Sequence, residues 1–137
     1  MKKLRLFSAG LFLFASAMFI SNTALAQKPA GKPWPVSDAA AAKKNPVKAG
    51  DADAIKEGKD LYIQHCKSCH GAKGKGDGSK AEKIDISCND FTTAEYKKKT
   101  DGENYYKTTE GRKPMPSYKE KMSDSERWKV VAYMRTL

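Results

Sequence analysis

Two cysteines and a histidine at a fixed spacing constrain the fold of this 137-residue chain more than any other feature. Cys66, Cys69 and His70 form a C-x-x-C-H element at the end of a helix-patterned segment. Two thiols three residues apart can each add to a vinyl group of one porphyrin, while the adjacent imidazole binds its iron. The element therefore predicts one covalently attached haem c, held through Cys66 and Cys69 with His70 as an axial iron ligand.

Three other chemistries for the same cysteines fit the sequence less well. A redox dithiol of the thioredoxin type needs a strand-helix-strand context, which the sequence lacks, and it gives His70 no role. A zinc site would use Cys66, Cys69, Cys88 and one histidine, but structural zinc normally uses a second paired element and Cys88 stands alone. A plain disulfide between the paired cysteines is the remaining alternative.

An iron bound by one histidine needs a sixth ligand, and the sequence offers a methionine. His65 directly precedes Cys66 and therefore lies on the attachment side of the ring. Met115 lies in Lys113-Pro114-Met115-Pro116, where the prolines stiffen the loop and hold a weak thioether ligand at low entropic cost. We predict that Met115 is the second axial ligand. The other methionines after residue 26 are assigned to the core or to a helix start: Met122 and Met134.

Helical periodicity accounts for most of the second half of the chain. Apolar residues spaced along one helix face predict a first helix from Ala52 into the cysteine motif, where Gly58 marks the close approach of another backbone. Ser123-Asp124-Ser125-Glu126 is a capping box that predicts a last helix from Asp124 to the C-terminus, and residues 101–111 form a third. Nothing alternates with period two. We predict an all-α domain of three to four short helices, with long loops wrapped around one covalent haem.

The first 26 residues have the pattern of a secretory signal. Lys2, Lys3 and Arg5 precede an apolar run over residues 6–20, and Ala24-Leu25-Ala26 supplies small residues for cleavage. An uncleaved anchor is the alternative, but these 15 apolar residues make a helix of about 22 Å, short of the roughly 30 Å hydrocarbon core. We expect cleavage, no membrane span in the mature protein, and export to the periplasm or the outer face of the cytoplasmic membrane.

Residues 27–50 form an arm with a different composition. The arm is rich in Pro, Ala and Lys, and its prolines are expected to interrupt any helix. We predict that it tethers the signal to a domain of residues 51–137. Trp34 is the exception, because an indole in a polar segment either docks on the domain or stays free in a mobile arm. The sequence leaves both possibilities open.

The charge of the chain indicates the chemistry of its partner. Lys and Arg number 26 against 16 Asp and Glu, and removal of the predicted signal leaves 23 basic residues and a net charge of +7. Nucleic acid is not expected, since the protein is exported and its lysines are not interleaved with aromatics on one element. We expect acidic redox proteins as partners, steered by lysines near the motif and the methionine loop: Lys67, Lys73, Lys75, Lys113 and Lys119.

In these features the chain resembles a class I c-type cytochrome of the small bacterial mono-haem kind. The resemblance covers nearly all of residues 52–137. It implies that the first and last helices cross, with Gly58 and Tyr62 against Val130 and Tyr133. The matching stretches are Glu57-Gly58-Lys59-Asp60-Leu61-Tyr62, Cys66 to Gly71, Gly74-Lys75-Gly76-Asp77-Gly78, Thr100-Asp101-Gly102-Glu103, Gly111 to Pro116, and residues 128–137.

The resemblance also implies a function. His70 and Met115 would be the axial ligands of a low-spin iron, and the protein would be a monomeric one-electron carrier between redox partners and not an enzyme. Two alternatives stay open. One is a haem subunit of a larger respiratory or oxidoreductase complex, docked through the arm. The other is a haem enzyme or sensor with an open sixth position, for which Arg112 without a histidine partner is poor support.

Two features depart from the family pattern. Members often have a proline after the attachment motif whose carbonyl accepts a hydrogen bond from the ligand histidine, but none occurs between Gly71 and Lys113. A carbonyl of residues 83–86 is expected to take this role. Cys88 is left over after two thioethers have formed, and we expect it to be buried or to have no role.

Overall fold

The computed structural model describes residues 28–137, and the predicted signal lies outside them. No β-strand occurs among these residues, and none of their helices is long and apolar enough to cross a membrane. The all-α prediction is therefore confirmed. The elements are α1 (Asp38–Ala41), α2 (Ala52–His65), α3 (Lys67–His70), a 3₁₀ turn (Ala81–Lys83), α4 (Ala94–Lys97), α5 (Asp101–Glu110) and α6 (Asp124–Met134).

The three longest helices are the three that the sequence predicts, and side chains cap the free amide groups at their starts. The Asp51 carboxylate accepts the Ala54 N–H at 3.0 Å at the start of α2. Thr100 forms a capping box with Glu103 before α5, and Ser123 does the same before α6. The last helix stops at Met134 and does not reach the C-terminus.

Helices α2 and α6 cross at Gly58, as the resemblance implied. A Cβ atom at this position would overlap the backbone carbonyl of Lys129 and would lie 3.2 Å from the Tyr133 Cβ atom. The rings of Tyr62 and Tyr133 pack edge to face with centroids 5.3 Å apart, and Val130 is fully buried in the same cluster. The predicted crossing is confirmed, and only a glycine allows it.

The last helix is buried on two sides because it packs on α5 as well as on α2. Trp128 stacks on Tyr105 of α5, with ring centroids 3.9 Å apart and planes inclined by 11°. Val131 is fully buried beside this pair, whereas Met134 belongs to the cluster at the α2 crossing. The last helix therefore makes two separate buried contacts, one with α5 and one with α2.

The arm lies on the domain along residues 28–50, and the expectation that its prolines exclude a helix was wrong for Asp38–Ala41. Pro35 and Pro46 leave enough chain between them for one helical turn. This turn, α1, packs on α5, where the Thr100 hydroxyl donates to the Ala41 carbonyl at 2.7 Å. The structure thus places the arm against the helices, although most of its residues remain exposed.

Candidate haem site

The C-x-x-C-H element lies at the junction of α2 and α3. Cys66 is the last residue of one turn and the first of the next, since its N–H donates to Tyr62 and its carbonyl accepts the His70 N–H at 2.9 Å. Gly71 ends α3 with φ of 80°, which a residue with a side chain adopts only at a cost. The junction therefore fixes the position of Cys66 relative to His70.

One pocket collects three of the four residues that the sequence assigned to the haem. Cys66, His70 and Met115 all line it, whereas Cys69 does not. The Cys69 sulfur lies 3.9 Å from the Ser68 hydroxyl. The rest of the lining comes from the arm, from α2, α4, α5 and α6, and from the intervening loops: Trp34, Tyr62, Asn89, Phe91, Tyr96, Lys107, Thr108, Val130 and Met134.

His70 is restrained, yet one of its ring nitrogens is unpaired. Phe91 stacks on the imidazole with centroids 4.6 Å apart. Burial lowers the pKa of His70, and the backbone carbonyl of Asn89 opposes this effect by facing the ring. Nδ1 is nevertheless buried without a partner in hydrogen-bond geometry among residues 28–137. A ligand histidine normally donates from this second nitrogen to a carbonyl or carboxylate, and Asn89 offers one.

The carbonyl that faces His70 does not belong to residues 83–86, where the sequence analysis expected it, and the arm engages one carbonyl of this segment, that of Ile84. The Lys28 ammonium donates to the carbonyls of Ala81, Glu82 and Ile84, each at 2.7 Å. The carbonyl that faces the imidazole lies further along the loop, at Asn89. The sequence carried no signal for this position.

Met115 lies in a narrow turn that is tied to α5. Its backbone N–H and carbonyl both pair with those of Arg112, at 2.9 Å each. Beyond the turn, the Ser117 hydroxyl donates to the Thr109 carbonyl at 2.7 Å, and the Tyr118 hydroxyl donates to the His65 carbonyl at 2.7 Å. The methionine loop is thus held on both sides.

Arg127 is a structural residue of this region that the sequence analysis missed. Its buried guanidinium donates to the carbonyls of Lys119 and Met122 and to the Tyr105 hydroxyl, and it pairs with Asp124. These bonds fix the chain between the methionine loop and α6. Arginine side chains are mostly exposed, so nothing in the sequence indicated that Arg127 would be buried.

The structure bears on the alternatives for the cysteines. All three are unpaired, and burial, with a smaller effect of Cys69, raises the pKa of Cys66 to about 12. No group of three or more metal-ligating side chains occurs in the described part of the chain, so a zinc site has no support there. Cys88 is half-buried, and burial raises its pKa. The dithiol alternative also lacks its strand-helix-strand context within residues 28–137.

The family model for cytochrome c matches residues 55–137. The chain belongs to the cytochrome c family. This cytochrome is 30% identical to a chain of the Kuenenia stuttgartiensis reducing HAO-like protein complex Kustc0457/Kustc0458, with a TM-score of 0.60 over 77% of this chain and 51% of that one. It therefore spans about half the length of that relative.

Two further solved structures share the fold. The KustC0563 c-type cytochrome is 33% identical, with a TM-score of 0.51 over 58% of this chain and 94% of its own. Cytochrome cL of Methylophaga aminisulfidivorans is 24% identical, with a TM-score of 0.50 over 64% of this chain and 57% of its own, and supports the fold alone. No curated protein sequence matches this cytochrome.

Family membership implies covalently bound haem c, electron transfer and redox partners. The residues of the pocket fit this cofactor. They supply a cysteine, an imidazole and a thioether, and aromatic and aliphatic side chains line much of the remainder. The Nδ1 atom of His70 has no partner among residues 28–137 and is therefore available for the second hydrogen bond that a ligand histidine normally donates.

Proposed function

We propose that this cytochrome is a mono-haem one-electron carrier, with haem attached through Cys66 and Cys69 and iron bound by His70 and Met115. The pocket shared by Cys66, His70 and Met115 is the observation that supports this most, because the two candidate ligands lie 45 residues apart in sequence. The chain contains one C-x-x-C-H element, which corresponds to one haem.

The haem, when bound, supplies an iron that exchanges one electron and needs no substrate. His70 is oriented by Phe91, and with haem bound its buried Nδ1 would donate to the Asn89 carbonyl that faces the ring, which would make the other nitrogen a better ligand. The Met115 thioether is a soft ligand that favours the reduced state and raises the potential. The backbone pairs with Arg112 hold this methionine in place.

Tyr62 is the more deeply buried of the two tyrosines that line the pocket, and it keeps water away without adding a charge. The Tyr62 hydroxyl donates to the Gly71 carbonyl at 2.8 Å, and the side chain is 0% exposed. Burial raises the pKa of Tyr62, so the phenol stays neutral at all physiological pH values. A dry, neutral wall favours a stable low-spin site over one that water can enter.

A carrier fits the pocket better than a peroxide-cleaving enzyme does. Peroxide cleavage needs a free basic or cationic pair on the ligand-binding side of the iron. The only histidine among the pocket residues is His70, and Arg112 donates to the carbonyls of Lys32 and Pro33 in the arm. The arginine that might have assisted such a reaction is therefore committed to another contact.

The surface lysines support acidic partners. The five lysines singled out from the sequence are all exposed, and none takes part in the ion pairs formed within residues 28–137. They are therefore free to attract an acidic patch on a donor or acceptor during brief docking. We propose a monomer exported to the periplasm that exchanges electrons in this way.

A resident subunit of a larger complex is the second candidate function. The alignment with the HAO-like complex covers 77% of the chain, which is more than residues 51–137 make up, so it includes residues before Asp51. That relative is a chain of a complex, and its likeness to this cytochrome extends beyond the domain of residues 51–137. Size-exclusion chromatography of the native periplasmic and membrane fractions separates a free carrier from a subunit.

The optical spectrum of the oxidised protein tests the ligand assignment. We expect a weak far-red sulfur-to-iron charge-transfer band in the wild type and its loss in Met115→Ala. Met122→Leu is the matched control, because Met122 is buried but does not line the pocket, and it should keep the band. A wild type that lacks the band and readily binds carbon monoxide has an open site, and the enzyme or sensor alternative would then replace the carrier.

A further inference from the structure

Trp34 is the pocket residue that neither the family nor the sequence pattern accounts for. It belongs to the arm, outside the residues 55–137 that the family model matches, yet it lines the same pocket as Cys66, His70 and Met115. The side chain is half-buried. The arm therefore contributes a large apolar surface to a pocket otherwise built by the cytochrome domain.

Arg112 connects Trp34 to the methionine loop. Its guanidinium lies over the indole, 4.6 Å from the ring centroid, and donates to the carbonyls of Lys32 at 2.7 Å and Pro33 at 2.8 Å. The backbone of Arg112 pairs with that of Met115. The Lys107 ammonium lies 6.0 Å from the same ring. Two cations thus hold the indole at the rim of the pocket, next to the proposed sixth ligand.

The arm is anchored on both sides of Trp34. On the N-terminal side, Lys28 donates to three carbonyls of the loop around residues 81–84, and the Ser87 N–H donates to the Pro29 carbonyl at 2.9 Å. On the C-terminal side, α1 packs on α5, and the Asn45 amide donates to the Trp128 carbonyl at 3.1 Å. The indole therefore lies on a strap that is tied down at both ends.

We propose that Trp34 is a wall of the haem pocket that limits the access of water and small molecules to the iron on the Met115 side. This inference rests on the proposed function, because it concerns the pocket assigned there to haem. Without the indole, the pocket would be open beside Lys107, which lines it, and Arg112, which lies over the ring, and both cations are hydrated. The indole replaces that hydrated rim with an apolar one.

Carbon monoxide association with the reduced protein tests this wall. The comparison is made in the Met115→Ala background, where the sixth position is open, so the rate reports access and not methionine dissociation. We expect Trp34→Ala to raise the association rate about tenfold, which corresponds to about 1.4 kcal/mol of barrier. Trp34→Phe should give a smaller increase, because it keeps part of the apolar surface.

Two further variants separate the wall from a general loosening of the arm. Lys44 is an exposed arm residue, and Lys44→Ala should leave the rate unchanged. Arg112→Gln removes the cation above the indole, and it should raise both the carbon monoxide rate and the hydrogen-exchange rate of the Trp34 amide. Circular dichroism of each variant confirms that the helices are intact.

An unchanged association rate in Trp34→Ala overturns the proposal, and so does an equal increase in Lys44→Ala. The site of the Met115→Ala background is open if the wild type lacks the far-red band or if Met115→Ala loses it, so the rates report access to the iron in both cases. The far-red band of the wild type tests the ligand assignment separately. Failure of the one proposal is therefore distinguishable from failure of the other.

Discussion

The crossing of α2 and α6 and the docking of the arm on α5 both depend on a glycine, but the two glycines have different neighbours. A Cβ atom at Gly58 would overlap the carbonyl of Lys129, between two helices of the core. A Cβ atom at Gly102 would overlap the carbonyl of Ala40 in α1, which has no buried residue. A close backbone approach stabilises the whole fold only where buried side chains lie behind it.

The two regions therefore serve different purposes. The α2–α6 crossing buries Tyr62 and Val130 completely and sets the global stability. The arm buries no residue fully along residues 28–50, and polar contacts supply much of its attachment. Its main effect is on the pocket that Trp34 lines, so stability and access to the pocket should respond to different substitutions.

Gly58→Ala is the strongest test of the crossing. The added methyl group meets a backbone carbonyl, which cannot rotate away, so the two helices must separate. We expect a loss of about 3 kcal/mol in the free energy of unfolding, despite the better helix propensity of alanine. Chemical denaturation of the haem-loaded protein measures it. Lys59→Ala, at an exposed site on the same helix, is the control and should change stability by less than about 0.5 kcal/mol.

A loss below about 1 kcal/mol in Gly58→Ala would show that the crossing adjusts easily. The contrast with the arm would then disappear, since both close approaches would be tolerant of a methyl group.

The capping serines of α6 and α1 provide a second comparison, with an expected effect on stability of intermediate size. Ser123 caps α6 and Ser37 caps α1, each by accepting a backbone N–H three residues ahead. Ser123→Ala should cost about 1 kcal/mol of unfolding free energy, because α6 is part of the core. Ser37→Ala should leave global unfolding unchanged, because α1 contributes no buried side chain of its own. Equal losses in the two variants would place α1 within the cooperative core.

Gly102→Ala should have the smallest effect on stability and a clear effect on the arm. The methyl group displaces α1, while alanine improves the helix propensity of α5, so the net change in unfolding free energy should be within about 0.5 kcal/mol. Hydrogen exchange of residues 38–48 should nevertheless become faster than in the wild type. If exchange there is unchanged, the close contact between α1 and α5 is not what holds the arm.

Much of the fold was predictable because its signals are local. The capping box at Ser123 gave the last helix, and the glycine at position 58 indicated a close backbone approach whose partner, the last helix, was implied by the family resemblance. The C-x-x-C-H element and the proline-flanked Met115 named the candidate site, and the structure brings Cys66, His70 and Met115 to one pocket. Each signal depends on residues within about one or two turns of helix, so spacing alone carries it.

The course of the arm, and with it the wall at Trp34, was decided only by the tertiary structure. Sequence analysis left Trp34 open between a docked and a free state, missed the helical turn α1, and expected the wrong carbonyl to face His70. These features depend on contacts such as Trp34 with Arg112 and Lys28 with Ala81, between residues far apart in the chain. Spacing within a segment determines ligands and caps, whereas the surface on which a segment docks exists only after distant elements have packed.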